Sequence, residues 1–406
     1  MKRFALSLAG VLFSLGCVGA QQGAPLPSDV DAAKLATLKS EFQGYVDRHQ
    51  TSGTVTLVAR KGKLLSLEAV GYQDLDSKAP MKTDTIFQIA SMTKPVTALG
   101  ILMLEEEGKL SIDDPVEKHL PEFRGQQLIT KKEGATITLG KPARPITIKD
   151  LLTHTSGMKG GFPAGFGDLY AKRNRTLAEA TIAISQWPLE FEPGSKWSYC
   201  NTGIDTLGRL IEVCSGKTYE AFLEERLFKP LGMKDTFFYP NEAQKARVAG
   251  LYKKDKDGLA KSDNFLGDAV GGRFPLPAGG MFSTAPDMLK LYQMLLDKGT
   301  ADGRRYLKEE SLAKMVKNHT GDLRAGFTDG VQMGLGFQLV GTPTGVTAML
   351  SPGTYGHGGA FGTQSWADPK KEMIFILMVQ RSGFPNGDAS DLRMSLQTIA
   401  VGAIKE

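Results

Sequence analysis

The spacing of apolar positions changes along the chain. It is helical and then strand-like near the start, and strand-like again near the end. In 32–49 they recur about once per helical turn, which predicts an amphipathic helix. Segments 54–60 and 64–71 alternate about a Lys-Gly-Lys turn and predict a hairpin. Three further strands and a closing helix are predicted near the end, over 336–340, 364–368, 373–379 and 391–404.

Between these regions lies a long stretch of helical patterns and Gly/Pro-rich loops. We therefore expect an α+β fold in which one antiparallel sheet is built from both termini and flanked by helices. An all-helical insertion is expected beside it. The sheet-containing part is predicted over about 31–90 and 276–406, and the helical part over about 91–275. A cleft between two such parts is where active sites tend to lie.

The first 20 residues have the pattern of a secretion signal. Lys2 and Arg3 precede an apolar core, and Val18-Gly19-Ala20 form a small-residue cleavage site. A polar linker over 21–30 and one domain over 31–406 follow. We expect an exported protein, periplasmic or secreted. Lipid attachment at Cys17 is a minor alternative.

Composition and charge exclude several classes of function. The net charge of +5 is small and dispersed, which argues against a nucleic-acid partner. No later segment is long and apolar enough to predict a transmembrane helix. The 5 histidines are widely spread without an H-E-x-x-H pattern, so no metal and no cofactor is expected. The oligomeric state is not readable from the sequence.

Two cysteines remain after the leader, Cys200 and Cys214. The segment between them predicts one helix over 202–213. A helix of that length spans roughly 20 Å, whereas a disulfide needs Cα atoms within about 7 Å. Two free, mostly buried thiols are therefore predicted.

The pair Ser91 and Lys94 is the first candidate for chemistry. Residues three apart share a helix face, and an apolar helix begins here, so the amine reaches back to the hydroxyl. A neutral lysine is a base that can activate a serine nucleophile. Two other S-x-x-K matches begin at Ser156, in a Gly-rich loop, and at Ser311, on a polar helix. Both are expected to be incidental.

Two further short motifs supply possible partners. Tyr199-Cys200-Asn201 precedes the 202–213 helix, where a phenol is able to relay a proton and an amide to hold substrate. The similar Tyr239-Pro240-Asn241 is predicted to be a plain turn. His357-Gly358-Gly359 permits close approach to the backbone, so the next N–H, of Ala360, is a candidate oxyanion donor. His154 is expected to be structural, holding loop backbone.

Taken in this order, the motifs resemble those of the penicillin-recognising serine hydrolases: class C β-lactamases, D-Ala-D-Ala carboxypeptidases and related esterases. The resemblance implies a β-lactamase/transpeptidase-like fold. It also implies that Ser91 is the nucleophile, that Lys94 helps to activate it, and that Tyr199 serves the second proton transfer. Which of Lys94 and Tyr199 is the principal base stays open. By the same resemblance, Asn201 orients Lys94 and substrate, and the Ser91 and Ala360 amides form the oxyanion hole.

One departure from the family pattern affects the expected substrate. Lactamases of the family usually have Lys-Thr-Gly at the third motif, where lysine and threonine hold the substrate carboxylate. Here His357-Gly358-Gly359 lacks the hydroxyl, and histidine is only partly charged at neutral pH. We expect an acyl-enzyme esterase or amidase acting on small acyl substrates. A D-amino-acid peptidase or carboxypeptidase and a weak β-lactamase are alternatives within the same chemistry. A non-catalytic sensor of cell-wall fragments is the alternative from another class.

Overall fold

The computed structural model describes residues 26–162, 165, 167, 172–256, 258–267 and 269–405. The predicted signal segment, Cys17 and the first half of the linker lie outside the described residues. The helix bounds are Ala32–Asp47, Lys94–Glu106, Val116–His119, Ile148–Leu152, Leu177–Ser185, Asn201–Ser215, Tyr219–Leu223, Glu242–Lys245, Ala285–Leu296, Glu309–Met315 and Asp391–Gly402.

A sheet of eight strands forms the centre of the molecule. In chain order its strands are β1 Gly53–Arg60, β2 Lys63–Asp74, β3 Ala79–Pro80, β4 Val331–Met333, β5 Gln338–Val340, β6 Tyr355–Gly358, β7 Gln364–Asp368 and β8 Met373–Val379. Their spatial order is β4-β5-β6-β7-β8-β1-β2-β3, and the pairs are antiparallel. Because β1 pairs with β8, the sheet is built from both ends of the chain, and the predicted fold class is confirmed.

Alternation along the central strands places apolar side chains on both faces of the sheet. Leu57 and Ile376 belong to the larger apolar core, which includes the middle helices. Val58 and Phe375 point to the opposite face, in a second core under helices 32–47 and 391–402. Successive strand residues face opposite sides, so a strand covered on both faces is continuously apolar, as 373–379 is.

The middle region is not all-helical, which corrects the expectation from sequence. It contains a hairpin of strands Leu128–Glu133 and Thr136–Gly140. A second hairpin, Tyr252–Asp255 with Gly258–Lys261, pairs with the short strand Arg381–Ser382. Most residues of these strands are exposed or partly exposed, so they give little of the buried alternation by which sheet strands are recognised.

The helix Lys94–Glu106 passes through the main core, and its residues 94–104 are all buried. The predicted free thiols are confirmed: Cys200 is buried, Cys214 is partly buried, and neither forms a disulfide. Within the part of the chain that the structure describes, no helix has the length and apolarity to span a membrane.

Candidate active site

A strained turn presents Ser91 at the start of the buried helix. The short strand Phe87–Gln88 leads into a 3-10 turn over Ala90–Thr93, which continues as the helix from Lys94. Ala90, just before the serine, has φ of 47°, a conformation that costs a non-glycine residue free energy. The Thr93 hydroxyl donates to the Ala90 carbonyl at 2.7 Å and so braces the turn from inside.

Lys94 meets Ser91 as the motif predicts. Its Nζ lies 3.0 Å from Ser91 Oγ and donates to the carbonyl of Ala278 at 2.6 Å. The side chain is fully buried. Burial disfavours the ammonium form and lowers the pKa of Lys94 to about 7, although the nearby Asp205 carboxylate opposes that shift. A large fraction of the amine is therefore uncharged at neutral pH.

Asp205 is a site residue that the motifs did not reveal. Its carboxylate accepts a hydrogen bond from the Ala278 N–H at 2.9 Å. The carbonyl of the same residue accepts the hydrogen bond from Lys94 Nζ. Asp205 lies within the helix Asn201–Ser215 and is fully buried. Burying a charged side chain costs free energy unless hydrogen bonds or an opposite charge compensate it. An aspartate on the apolar face of a predicted helix was the one sequence signal that could have indicated Asp205.

Tyr199 also forms a hydrogen bond with Ser91. Its hydroxyl donates to Ser91 Oγ at 2.8 Å. Desolvation raises the pKa of Tyr199 well above that of a free phenol, so the group is a neutral donor at pH 7. Lys94 Nζ lies 4.7 Å from the centre of its ring, and the Phe327 ring stands edge-on at 4.8 Å.

Two buried imidazoles border Tyr199, and both are neutral. Burial lowers the pKa of His357 to about 4 and that of His154 far below its ordinary value. His357 Nδ1 donates to the Gly358 carbonyl at 2.7 Å, because a carbonyl only accepts. His154 Nδ1 accepts the Cys200 N–H at 3.1 Å, which agrees with the structural role expected for it. A cationic group is therefore missing from the first position of the third motif.

Gly359 brings the end of strand β6 against the turn that carries the serine. A Cβ at this position would lie 2.4 Å from the Ile89 carbonyl oxygen and 2.1 Å from Thr363 Oγ1. The Thr363 hydroxyl also donates to Ile89 O at 3.2 Å. Ala360 follows at an exposed position. The role of its N–H as an oxyanion donor stays a prediction.

A carboxylate that the sequence did not indicate fills the space where a side chain at residue 358 would begin. A Cβ there would lie 1.8 Å from Asp388 Oδ1 and 2.5 Å from Gln364 Nε2. Asp388 belongs to a short 3-10 turn, Gly387–Ala389, placed against β6 and β7 by the fold. Thirty residues separate Asp388 from Gly358 along the chain, too many for any local pattern to connect them.

The remaining predicted positions have mixed outcomes. Asn201 is the first residue of its helix, and its N–H donates to Gly160 O. Lys94 Nζ forms hydrogen bonds with Ser91 and Ala278, and the orienting role of Asn201 stays a prediction. The two incidental S-x-x-K matches lead elsewhere, since Lys314 pairs with Glu105 and Lys159 lies over the Trp187 ring.

No metal site is evident in the parts of the chain that the structure describes, because they contain no group of three or more His, Cys, Asp or Glu side chains able to hold an ion. The loop over 158–170 lies partly outside the described residues.

Comparison with known proteins gives a consistent result. A family model described as beta-lactamase matches residues 38–398. The chain is similar to esterase EstB of Burkholderia gladioli, at 28% identity over 92% of this chain and 97% of the relative. It is similar to penicillin-binding protein 4 of Amycolatopsis lactamdurans, at 31% identity over 80% and 79%. Among solved structures, EstCE1, a hydrolase with promiscuous acyltransferase activity, aligns with a TM-score of 0.75 at 24% identity over 92% and 99%.

Proposed function

Because the chain belongs to the beta-lactamase family, we propose that it is a serine hydrolase that cleaves esters or amides of small acyl groups through an acyl-enzyme on Ser91. One observation carries the proposal. Ser91 Oγ lies 3.0 Å from the Lys94 amine and 2.8 Å from the Tyr199 hydroxyl. A base of near-neutral pKa and a neutral proton donor thus both lie within hydrogen-bond distance of the nucleophile, Ser91 Oγ.

The proposed reaction begins with Lys94 in its uncharged form. The amine takes the Ser91 proton while Oγ attacks the acyl carbon, and the oxyanion that forms is held by the Ser91 and Ala360 amides. Tyr199, whose raised pKa keeps it protonated, donates a proton to the leaving group. Tyr199, now a phenolate, then takes a proton from the water that attacks the acyl-enzyme. The Lys94 ammonium returns its proton to Ser91 Oγ as the acyl–oxygen bond breaks, which restores the starting state. The assignment of Lys94 as first base rests on this difference in pKa.

Esterase activity is preferred over the alternatives because of the third motif. His357 is uncharged, so it gives a substrate carboxylate no cationic partner. This disfavours β-lactams and C-terminal D-alanine peptides, both of which carry a carboxylate near the reacting bond. The similarity to esterase EstB over most of both chains supports the same choice.

A fluorophosphonate probe and p-nitrophenyl acetate test the proposal. We expect labelling of Ser91, a burst of p-nitrophenol, and loss of both in Ser91→Ala. Ser311→Ala is the matched control, because Ser311 begins an S-x-x-K match on another helix, and both signals should persist in it. Folded protein that neither labels nor turns over would support the cell-wall sensor instead. Rapid nitrocefin hydrolysis would overturn the preference for esters.

Export is a second part of the proposal and rests on the first 20 residues alone. A mature chain that begins at Gln21 is expected, and intact mass spectrometry of protein from the native host would show it. A lipid-modified mass beginning at Cys17 would establish the membrane-anchored alternative, and an unprocessed chain would refute export.

A further inference from the structure

We propose that Asp388 is a specificity-determining residue that makes the site reject acyl donors carrying a carboxylate, so that the preferred substrates are esters of uncharged acyl groups. The inference rests on the proposed function and names its substrate class. Its basis is the contact between Asp388 and the middle glycine of the third motif.

The contact places a carboxylate where lactamases of the family have a hydroxyl. A side chain at residue 358 would begin 1.8 Å from Asp388 Oδ1, so the two cannot coexist. In the Lys-Thr-Gly pattern, the side chain at this position helps to hold the substrate carboxylate. Here the equivalent space holds an acceptor-only group of the same sign as that substrate group.

The hydrogen-bond donors to the Asp388 side chain are neutral groups. Gln364 Nε2 donates to Oδ1 at 3.0 Å and Gln338 Nε2 donates to Oδ2 at 3.1 Å. Arg393 donates instead to the backbone carbonyl of Asp388. Among the described residues, no lysine, arginine or histidine nitrogen lies within 4.0 Å of its carboxylate oxygens. No direct ion pair therefore cancels the negative charge, although the Asp388 carboxylate attracts the buried Arg393 guanidinium and opposes the lowering of its pKa by burial.

The charge also reaches the reacting groups. The Asp388 carboxylate raises the pKa of Tyr199 and opposes the lowering of the pKa of His357. A substrate carboxylate bound beside strand β6 would therefore meet repulsion from Asp388 and no cation at His357. An uncharged acyl chain meets neither effect.

Two matched substrates test the inference: p-nitrophenyl pentanoate and the p-nitrophenyl monoester of glutarate. They have the same number of acyl carbons and differ in a terminal methyl or carboxylate. With spontaneous hydrolysis subtracted, the protein should favour the pentanoate in kcat/KM by about tenfold or more, as expected for like charges in a partly desolvated site. Asp388→Asn should reduce that preference, measured as the ratio of the two kcat/KM values, by about fivefold or more.

The substitution suits the site. Gln338 Oε1 is buried without a hydrogen-bond partner in the described structure, so rotation of this amide gives the new Asn Nδ2 an acceptor. Asp391→Asn is the control. It removes the same charge from an exposed aspartate three residues further along the chain. If Asp388→Asn does not fold, Asp388→Ser must change the ratio in the same direction.

The outcomes separate the two proposals. No hydrolysis of either ester by the folded, unsubstituted protein would refute the proposed function itself. Hydrolysis of pentanoate with an ester preference that Asp388→Asn leaves unchanged, or that Asp391→Asn changes equally, would overturn the role of Asp388. A preference of the unsubstituted protein for the glutarate ester would overturn it as well.

Discussion

The Asp205 carboxylate is expected to set the pH at which the site becomes active. Lys94 must lose its proton to accept that of Ser91, so kcat/KM should rise with pH through the pKa of Lys94, about 7. Asp205 favours the charged ammonium and so raises this pKa against the effect of burial. Asp205→Asn removes the charge while its remaining carbonyl oxygen can still accept the Ala278 N–H. The pKa of Lys94 should then fall, and the acid limb should move to lower pH.

The size of the pKa shift follows from the distance between the Asp205 carboxylate and the Lys94 amine, which both form hydrogen bonds with the backbone of Ala278. Hydrogen bonds of 2.9 Å and 2.6 Å flank the Ala278 peptide segment. This puts the carboxylate roughly 7 Å from the amine, where two unit charges interact by about 2 kcal/mol at an effective dielectric constant near 20. One pKa unit corresponds to about 1.4 kcal/mol, so the limb should move by about one to two pH units.

The assay is kcat/KM on a neutral p-nitrophenyl ester between pH 4.5 and 10, with melting temperatures at each pH. Asp287→Asn is the control, because Asp287 is also a buried aspartate. Its carboxylate accepts hydrogen bonds from the Asp235 N–H and the Thr236 hydroxyl, and these groups form no hydrogen bond with Ser91 or Lys94 among the described residues. Its profile should match that of the unsubstituted protein. A folded Asp205→Asn variant whose acid limb stays in place, or moves to higher pH, would refute the electrostatic argument.

Three further substitutions test the site. Lys94→Met should abolish turnover yet raise the unfolding free energy at pH 7 by about 2–4 kcal/mol in denaturant titrations. The folded-state pKa of about 7 lies below the ordinary 10.5, so folding releases a proton, and the gain should vanish above about pH 10.5. Tyr199→Phe should lower kcat by about 10²–10⁴ with little change in KM, and a variant with near-normal kcat would exclude Tyr199 as proton donor. Gly359→Ala should displace the turn before Ala360 and lower kcat by about 10²–10³ in steady-state assays. Unchanged kcat there would place the oxyanion hole elsewhere.

The local part of the site was predictable because its residues are close along the chain. Ser91 and Lys94 are three apart on one helical turn, and that spacing alone brings the amine to the hydroxyl. Tyr199 was joined to them only through the family resemblance. The distance from Tyr199 to Ser91 depends on how the helix Asn201–Ser215 packs on the helix Lys94–Glu106, and no short pattern encodes it.

Sheet strands whose side chains are buried were predicted at their observed bounds, as with 364–368 and 373–379. The hairpin over Leu128–Gly140 was not predicted, because its side chains are mostly exposed and leave no buried stripe. Asp205 and Asp388 were missed for a different reason. Their effect on the site comes from charge placed by long-range packing, and a sequence pattern does not show which peptide or glycine a buried carboxylate meets.

The third motif and Asp388 form one structural unit, because Asp388 Oδ1 fills the space that a side chain at residue 358 would need. A threonine at 358 would collide with Asp388 Oδ1, which lies 1.8 Å from where its Cβ would begin. Substituting the motif residues alone therefore cannot rebuild a carboxylate pocket, because the turn Gly387–Ala389 already fills its place. A lysine at 357 would also stand near Asp388, whose carboxylate already acts on the imidazole there, and would be partly neutralised by it. The absent hydroxyl and the buried carboxylate are thus parts of one arrangement, and we propose that both act against an anionic substrate.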